Sequence, residues 1–309
     1  MEKIAVYGAG VIGIGEATLV TGHGIPCVVI GRSESGLERC RQAVEQNWDD
    51  LIANGLASEK NKAAAMNLLT ITNKPEALEG CTFIFEAVAE DIVQKSKVYA
   101  EIENYAAPNA IIVSCTSSLN SSDLAATVSR PENLLVVHPL NPAHMVPLVE
   151  VVTHPLNSED TLERTYAMLR ALSRKPVTLK KTMPGFLVNR FHQALYRESI
   201  YLIEQGITTA EDVDTALQCL SMRYSSIGLL EFFDDVGLAL EASISKNVYP
   251  DLCAATDVQQ YVQKCMEDGH TGKAAGKGLH DWSKIDADDY RYRKQVPFFG
   301  TVSKWDMPE

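Results

Sequence analysis

Through residue 183 the chain alternates short apolar runs with longer amphipathic stretches of helical periodicity. The runs are rich in Val, Ile and Phe, as in strands that are buried on both faces. The stretch 11–21 is predicted to be helical, and 156–172 has the apolar spacing of an amphipathic helix. This alternation predicts an α/β fold with a doubly wound sheet. The predicted strands are 3–7, 27–30, 82–88, 110–114, 134–138, 148–152 and 176–179.

Two regions depart from the alternation. Residues 36–69 read as helical with a break at Asn54-Gly55, and they are too long for a simple crossover. We expect a helix–turn–helix insertion there that projects from the sheet. Beyond Pro184-Gly185 the pattern becomes wholly helical, so we predict an all-α domain over 184–309. Its first helix carries one apolar face, formed by Leu187, Phe191, Leu195 and Leu202.

A glycine-rich turn joins the first strand to the first helix, with the sequence Gly8-Ala9-Gly10-Val11-Ile12-Gly13. In a strand–turn–helix–strand frame this spacing predicts a Rossmann-type dinucleotide-binding domain, here residues 1–183. Gly8 would make the tight turn, Gly10 would admit the pyrophosphate, and Gly13 would let the helix pack on the strand. We expect the cofactor to contact Gly8, Gly10, Val11, Ile12 and Gly13.

The end of the second strand normally carries an acidic residue for the adenine ribose. Here that position is Gly31, followed by Arg32 and Ser33. A guanidinium and a hydroxyl in place of a carboxylate suit a 2′-phosphate, so the sequence favours NADP over NAD. Either form of NAD(P) would bind if Arg32 only stacks on the adenine.

Polar side chains follow two further predicted strands. Glu90 and Lys95 come after strand 82–88, where they could reach the cofactor's ribose or simply begin a solvated helix. The hydroxyls of Thr116, Ser117 and Ser118 come after strand 110–114. They could orient a substrate oxygen or cap the following helix.

His138 ends a buried strand, and a second apolar run carries Glu150 back after a loop rich in proline. Proline lacks the N–H that a helix or a central strand needs, so the loop is not helical. A strand, a loop and a returning strand can place the imidazole beside the carboxylate. Glu150 would then fix the tautomer of His138 and raise the basicity of its other nitrogen.

Composition narrows the class of protein. A length of 309 residues indicates two domains, and a net charge of −12 argues against nucleic acid and anionic membranes as partners. The seven scattered cysteines predict neither a disulfide framework nor a metal site. A strand begins at Lys3, which leaves no room for a signal peptide, and no apolar run is long enough to span a membrane. We therefore expect a cytoplasmic protein that acts on a small molecule.

Six motifs in order resemble the L-3-hydroxyacyl-CoA dehydrogenase family over nearly the whole chain. They are the glycine turn, Glu86-Ala-Val-Ala-Glu90 with Lys95, Thr116-Ser-Ser-Leu119, His138-Pro-Leu-Asn141-Pro with Leu148-Val-Glu150-Val, Pro184-Gly-Phe-Leu-Val-Asn189-Arg190, and Gly272-Lys-x-x-Gly276-Lys-Gly278.

The resemblance implies that NAD(P) takes a hydride from an L-3-hydroxyacyl-CoA, with His138 as general base and Glu150 orienting it. Ser117 and Asn189 would hydrogen-bond the substrate oxygen, and Asn141 would contact the cofactor. We also expect the helical domain to form a homodimer.

The stretch 221–228 departs from the CoA-type pattern and looks like the branch that acts on free 3-hydroxy acids, with L-gulonate 3-dehydrogenase, lambda-crystallin and carnitine dehydrogenase. Arg223 would then bind the substrate carboxylate. Another reading of Arg223 is an ion pair between domains or subunits. A third possibility is a cofactor-binding structural or sensing protein, although it would have no physical reason to keep Ser117, His138, Glu150 and Asn189 together.

Overall fold

The structure, a computed structural model, describes residues 2–309. Its strands are β1 Ile4–Tyr7, β2 Cys27–Ile30, β3 Leu69–Thr72, β4 Phe83–Glu86, β5 Ile111–Ser114, β6 Leu134–Pro139, β7 Leu148–Val152 and β8 Lys175–Leu179. The helices of the first part are α1 Val11–Gly22, α2 Glu34–Ala53, α3 Glu59–Asn67, α4 Ile92–Tyr105, α5 Ser121–Ala125 and α6 Glu159–Ala171. The later helices are α7 Val188–Glu204, α8 Ala210–Tyr224, α9 Leu229–Val236, α10 Leu238–Val248, α11 Gln260–Glu267, α12 Ala287–Gln295 and α13 Phe299–Val302.

The strands form one eight-stranded sheet in the order β3-β2-β1-β4-β5-β6-β7-β8. All pairs are parallel except β6 with β7, which are antiparallel. The strand order reverses between β1 and β4. In sheets of this kind ligands bind outside the carboxyl ends of the strands at such a reversal. The predicted Rossmann-type sheet followed by helices is therefore confirmed.

Two hydrophobic cores cover the two faces of the sheet, and β1 contributes to both. Ile4 and Val6 point into one core, whereas Ala5 and Tyr7 point into the other. Every residue of β1 is buried, as expected for a central parallel strand.

The region predicted as a projecting insertion lies against the sheet instead. Trp48 and Leu51 of α2 and Ala65 of α3 belong to the core that also contains Ile4 and Val6. The chain then enters β3, an edge strand that the sequence did not predict, which pairs with β2. Residues 36–69 thus belong to a long crossover between β2 and β3, and their apolar side chains are buried in the core of the first unit.

The chain divides into two compact units. The first ends at Leu187 and is completed by Arg293–Glu309, and the second comprises Val188–Tyr292. The expected domain over 184–309 therefore loses its last residues to the first unit. Trp305 explains why: it is buried beside Trp48, and a side chain at Gly22 would collide with its ring, with a Cβ 2.5 Å from Cζ3.

The second unit is helical throughout but has little interior of its own. Ile200 and Cys253 are the only buried residues between 188 and 292 in this single chain. Phe191 and Leu195, on the predicted apolar face of α7, are 56% and 50% exposed. Among residues 2–309, no helix is long and apolar enough to cross a bilayer.

Candidate active site

The β1–α1 turn has the geometry that the glycine motif predicts. Gly8 has φ +129°, and a Cβ there would lie 2.4 Å from the Ala87 carbonyl oxygen. A Cβ on Gly13 would lie 1.9 Å from the Gly8 carbonyl oxygen, so both positions require glycine. At Gly10 a Cβ would meet nothing within 4 Å, which leaves room for a pyrophosphate at the start of α1, where Val11 and Ile12 follow.

The residues predicted to read a 2′-phosphate already have partners in the protein. The Ser33 hydroxyl is the N-cap of α2 and accepts from the Gly36 N–H. Arg32 donates to the Gln94 side-chain oxygen over 3.1 Å. A Cβ on Gly31 would lie 2.6 Å from Leu37 Cδ2, so packing also disfavours a carboxylate at that position. These contacts weaken the sequence argument for NADP.

Lys95, predicted to touch the cofactor's ribose, is buried. Its ammonium lies 2.7 Å from the Glu86 carboxylate and 3.9 Å from that of Glu90. Glu86, itself fully buried, also accepts from the hydroxyls of Tyr99 and Ser114. Such a network is stable only when each charge is paired and hydrogen-bonded. Lys95 is thus placed to hold the β4–α4 loop.

Glu90 lies at the carboxyl end of β4 and holds the turn after β5. Its Oε1 accepts from the Thr116 hydroxyl at 2.6 Å and from the N–H groups of Ser117 and Ser118 at 2.9 and 3.1 Å. Partial burial alone would raise the pKa of this carboxyl. The hydrogen bonds from Thr116, Ser118 and Ser117, with the Lys95 charge, hold the pKa below its usual value.

His138 and Glu150 form a buried pair. They face each other across the antiparallel β6–β7 register, and His138 Nδ1 lies 2.7 Å from Glu150 Oε2. In that pairing Nδ1 donates to the carboxylate, which leaves Nε2 as the acceptor. An imidazole held in this way can accept a proton at Nε2, because the carboxylate fixes its tautomer.

The segment before α7 supports this pair, a role that sequence reasoning missed. The Phe186 ring, fully buried at φ +46°, packs edge-on against the His138 ring with centroids 5.5 Å apart. The Leu187 N–H donates to Glu150 Oε1 over 2.7 Å. Both residues belong to a motif that carried the family resemblance, and that membership was the available signal.

Arg174 is a second supporting residue that the sequence did not indicate. Its buried guanidinium donates to the carbonyl oxygens of Ala143, His144 and Val146, and also to that of Leu172. The first three belong to the loop between His138 and Glu150. Arg174 therefore fixes this loop, which also carries Asn141.

Glu16 on α1 is the unusual acid of this unit. It is 2% exposed, and burial raises the pKa of its carboxyl to about 7 even though the Arg174 charge opposes the shift. The same Arg174 charge, after burial, helps to lower the pKa of His144 to about 4. Glu16 is thus held close to its titration point at neutral pH.

Two predicted site residues belong to the second unit. Asn189 is in the first turn of α7. Arg223 is exposed in the last turn of α8, and its guanidinium lies over the Phe232 ring, 4.5 Å from the centroid. A guanidinium stacked in this way keeps its N–H edge available.

Comparison with known families decides the assignment. The NAD-binding domain of 3-hydroxyacyl-CoA dehydrogenase matches residues 3–182, and the C-terminal domain of the same enzyme matches 185–282. The chain belongs to the 3-hydroxyacyl-CoA dehydrogenase family. Members of this family are NAD-dependent dehydrogenases that act on CH–OH groups.

Relatives within this dehydrogenase family differ in substrate. L-carnitine dehydrogenase of Oceanobacillus iheyensis is 34% identical over 74% of each chain. The structure of a 5-formyl-3-hydroxy-2-methylpyridine 4-carboxylic acid 5-dehydrogenase, described as an NAD⁺-dependent dismutase, aligns over all of both chains with TM-score 0.85 and 27% identity. (S)-3-hydroxybutyryl-CoA dehydrogenase of Ralstonia eutropha, 25% identical, aligns over 91% of this chain and 99% of its own, with TM-score 0.72.

Proposed function

We propose that this dehydrogenase oxidises the hydroxyl group of a small free hydroxy acid with NAD⁺, with His138 as the general base. The observation that carries the chemistry is the buried His138–Glu150 pair, with His138 at the carboxyl end of β6. The two relatives with free acids in their names support the substrate class. An acyl-CoA, the commonest substrate of the family and the one first expected from the resemblance, is the alternative.

His138 would take the hydroxyl proton through Nε2, the nitrogen that faces away from Glu150. The Glu150 carboxylate would then stabilise the imidazolium that forms. Phe186 and the Leu187 N–H limit the movement of both side chains, because they pack on the ring and bind the second carboxylate oxygen. Ser117 and Asn189 would hydrogen-bond the substrate oxygen while its charge changes.

NAD is the cofactor that we propose, in place of the NADP that the sequence favoured. Gly8, Gly10 and Gly13 fit the pyrophosphate, with the N–H groups of Val11 and Ile12 as donors. Arg32 and Ser33 already hydrogen-bond within the protein, to the Gln94 side chain and the Gly36 N–H, so fewer of their polar groups are available to a further phosphate. When bound, NAD⁺ supplies the hydride acceptor.

We further propose that two chains associate through their helical units. The exposed apolar side chains of the second unit include Phe191, Leu195, Leu230 and Leu238. Apolar patches of this kind on one unit mark an association surface. A cytoplasmic homodimer is the assembly that we expect.

The decisive experiment compares His138→Gln with wild type on L-carnitine, 3-hydroxybutyrate and 3-hydroxybutyryl-CoA. Loss of a general base should lower kcat about 10²-fold or more while NAD⁺ affinity stays unchanged. His280→Gln is the matched control, because it removes another His–carboxylate pair (His280–Asp214, 2.9 Å). Turnover of the thioester alone would favour the CoA alternative, and full activity of His138→Gln would exclude His138 as the base.

A further inference from the structure

The turn at residues 116–118 gathers an unusual number of hydrogen-bond donors on one atom. Besides the three contacts already described, Glu90 Oε1 lies 2.9 Å from the Ser118 hydroxyl and 3.3 Å from the Ser117 hydroxyl. Two backbone N–H groups and three hydroxyls therefore surround a single carboxylate oxygen. One such oxygen offers about two lone-pair sites, so the turn has more donors than Glu90 satisfies.

The turn also lies where a substrate would be. β5 and β6 are parallel neighbours, with Ser114 opposite Val136, and both strands end at the same edge of the sheet. Thr116 and His138 each follow this pair by two residues. A molecule whose hydroxyl reaches His138 would have its other end within reach of the turn.

Two features would let the Glu90 side chain leave the turn. It precedes α4, and its side chain is 36% exposed. Its second carboxylate oxygen lies 3.9 Å from the Lys95 ammonium, which would keep a partner for the charge if Oε1 left the turn. The predicted contact of Glu90 with the cofactor's ribose would give the side chain a second position.

We propose that the 116–118 turn binds the carboxylate of the substrate, and that Glu90 fills this site while no substrate is bound. This inference rests on the proposed function, since an acyl-CoA has no free carboxylate. It assigns carboxylate recognition to the first unit and competes with Arg223 for that role. The N–H groups of Ser117 and Ser118 and the hydroxyls of Thr116 and Ser118 are enough for both oxygens of a carboxylate, and they leave the Ser117 hydroxyl for the reacting oxygen.

The first test compares acid with ester. Wild type, Ser118→Ala and Arg223→Met are assayed with 3-hydroxybutyrate and its methyl ester at saturating NAD⁺. Losing one charge-assisted hydrogen bond should lower kcat/KM for the acid about tenfold in Ser118→Ala and leave the ester unchanged. Equal losses on acid and ester would mean a structural role for Ser118 and would overturn the proposal. So would loss of the acid preference in Arg223→Met alone.

The second test needs no turnover. Butyrate and its neutral analogue butyramide are titrated into cofactor-free wild type and Glu90→Ala, with NMR detection. Emptying the turn should strengthen butyrate binding about tenfold and leave butyramide unaffected. Unchanged butyrate affinity in a folded Glu90→Ala would overturn the proposal. If Glu90→Ala gains butyrate binding but wild type oxidises no hydroxy acid, the carboxylate site stands and the proposed function fails.

Discussion

The two units of this chain differ in how much of their apolar surface is buried. In the first, the sheet is covered on both faces, and the buried charges of Glu86, Lys95, Glu150 and Arg174 all have hydrogen-bond partners. In the second, helices with apolar faces leave those faces at the surface. The first unit has the organisation of an independent domain, whereas the second needs a partner surface to bury its apolar area.

The largest effect that we predict concerns the exposed apolar side chains of the second unit. Wild type should be a dimer by sedimentation equilibrium, and Leu230→Asp with Leu238→Asp should raise the dissociation constant about 10³-fold or more. The two leucines are 78% and 66% exposed in the single chain, and burying charge in an apolar interface is costly. The matched control is Leu156→Asp, a leucine of the first unit that is 60% exposed. A wild type that sediments as a monomer would contradict the prediction.

The same contrast explains how much of the fold the sequence predicted. Buried strands are rich in apolar residues, so β2 and β7 were predicted with the bounds that the structure has, although β7 also contains Glu150. β3 was missed because Leu69-Thr-Ile-Thr72 is a half-buried edge strand that follows a helical run. The position of Trp305 was also missed, because a contact with Gly22 across the whole chain leaves no local pattern.

In the candidate active site, the sequence predicted the pair of residues that lie on two consecutive strands. It missed the supporting residues that are distant in the chain. His138 and Glu150 lie twelve positions apart on adjacent strands, so pattern and spacing were enough to bring them together. Phe186 packs on His138, and Arg174 binds the loop between the two residues, and both contacts arise only in the tertiary fold. Lys95 was expected at the ribose because sequence does not reveal that its ammonium is buried against Glu86.

The second prediction concerns Glu16, a buried acid of the first unit whose pKa is raised by burial. The pKa of Glu16 is about 7 in the folded chain and 4.5 by its ordinary value, so the folded protein binds more protons between these pH values. Stability from this group is therefore greatest below pH 4.5 and falls as pH rises to 7. Glu16→Gln should unfold at higher urea than wild type at pH 8, by roughly 3 kcal/mol, and the difference should shrink towards pH 5.

The control for that experiment is Glu38→Gln, which removes an exposed carboxylate from α2. Its stability difference from wild type should stay small and change little between pH 5 and pH 8. A Glu16→Gln protein with the same stability as wild type at pH 8 would show that Arg174 compensates the buried charge fully. The first unit would then have no unsatisfied acid.

The smallest effect concerns the solvent-facing edge of the first unit, where Arg32 is bonded to Gln94. If Arg32 only packs near the adenine, Arg32→Ala should change NADH affinity by less than about threefold, since one exposed cation contributes little. NADPH, which carries an additional phosphate, should bind more weakly than NADH to wild type. Both affinities are measurable by nicotinamide fluorescence, with Gln94→Ala as the control that frees Arg32. Tighter binding of NADPH than NADH, abolished by Arg32→Ala, would restore the 2′-phosphate role that the sequence suggested. The exposed Arg32, and not the buried network of Glu86 and Lys95, would then determine whether the enzyme prefers NADPH or NADH.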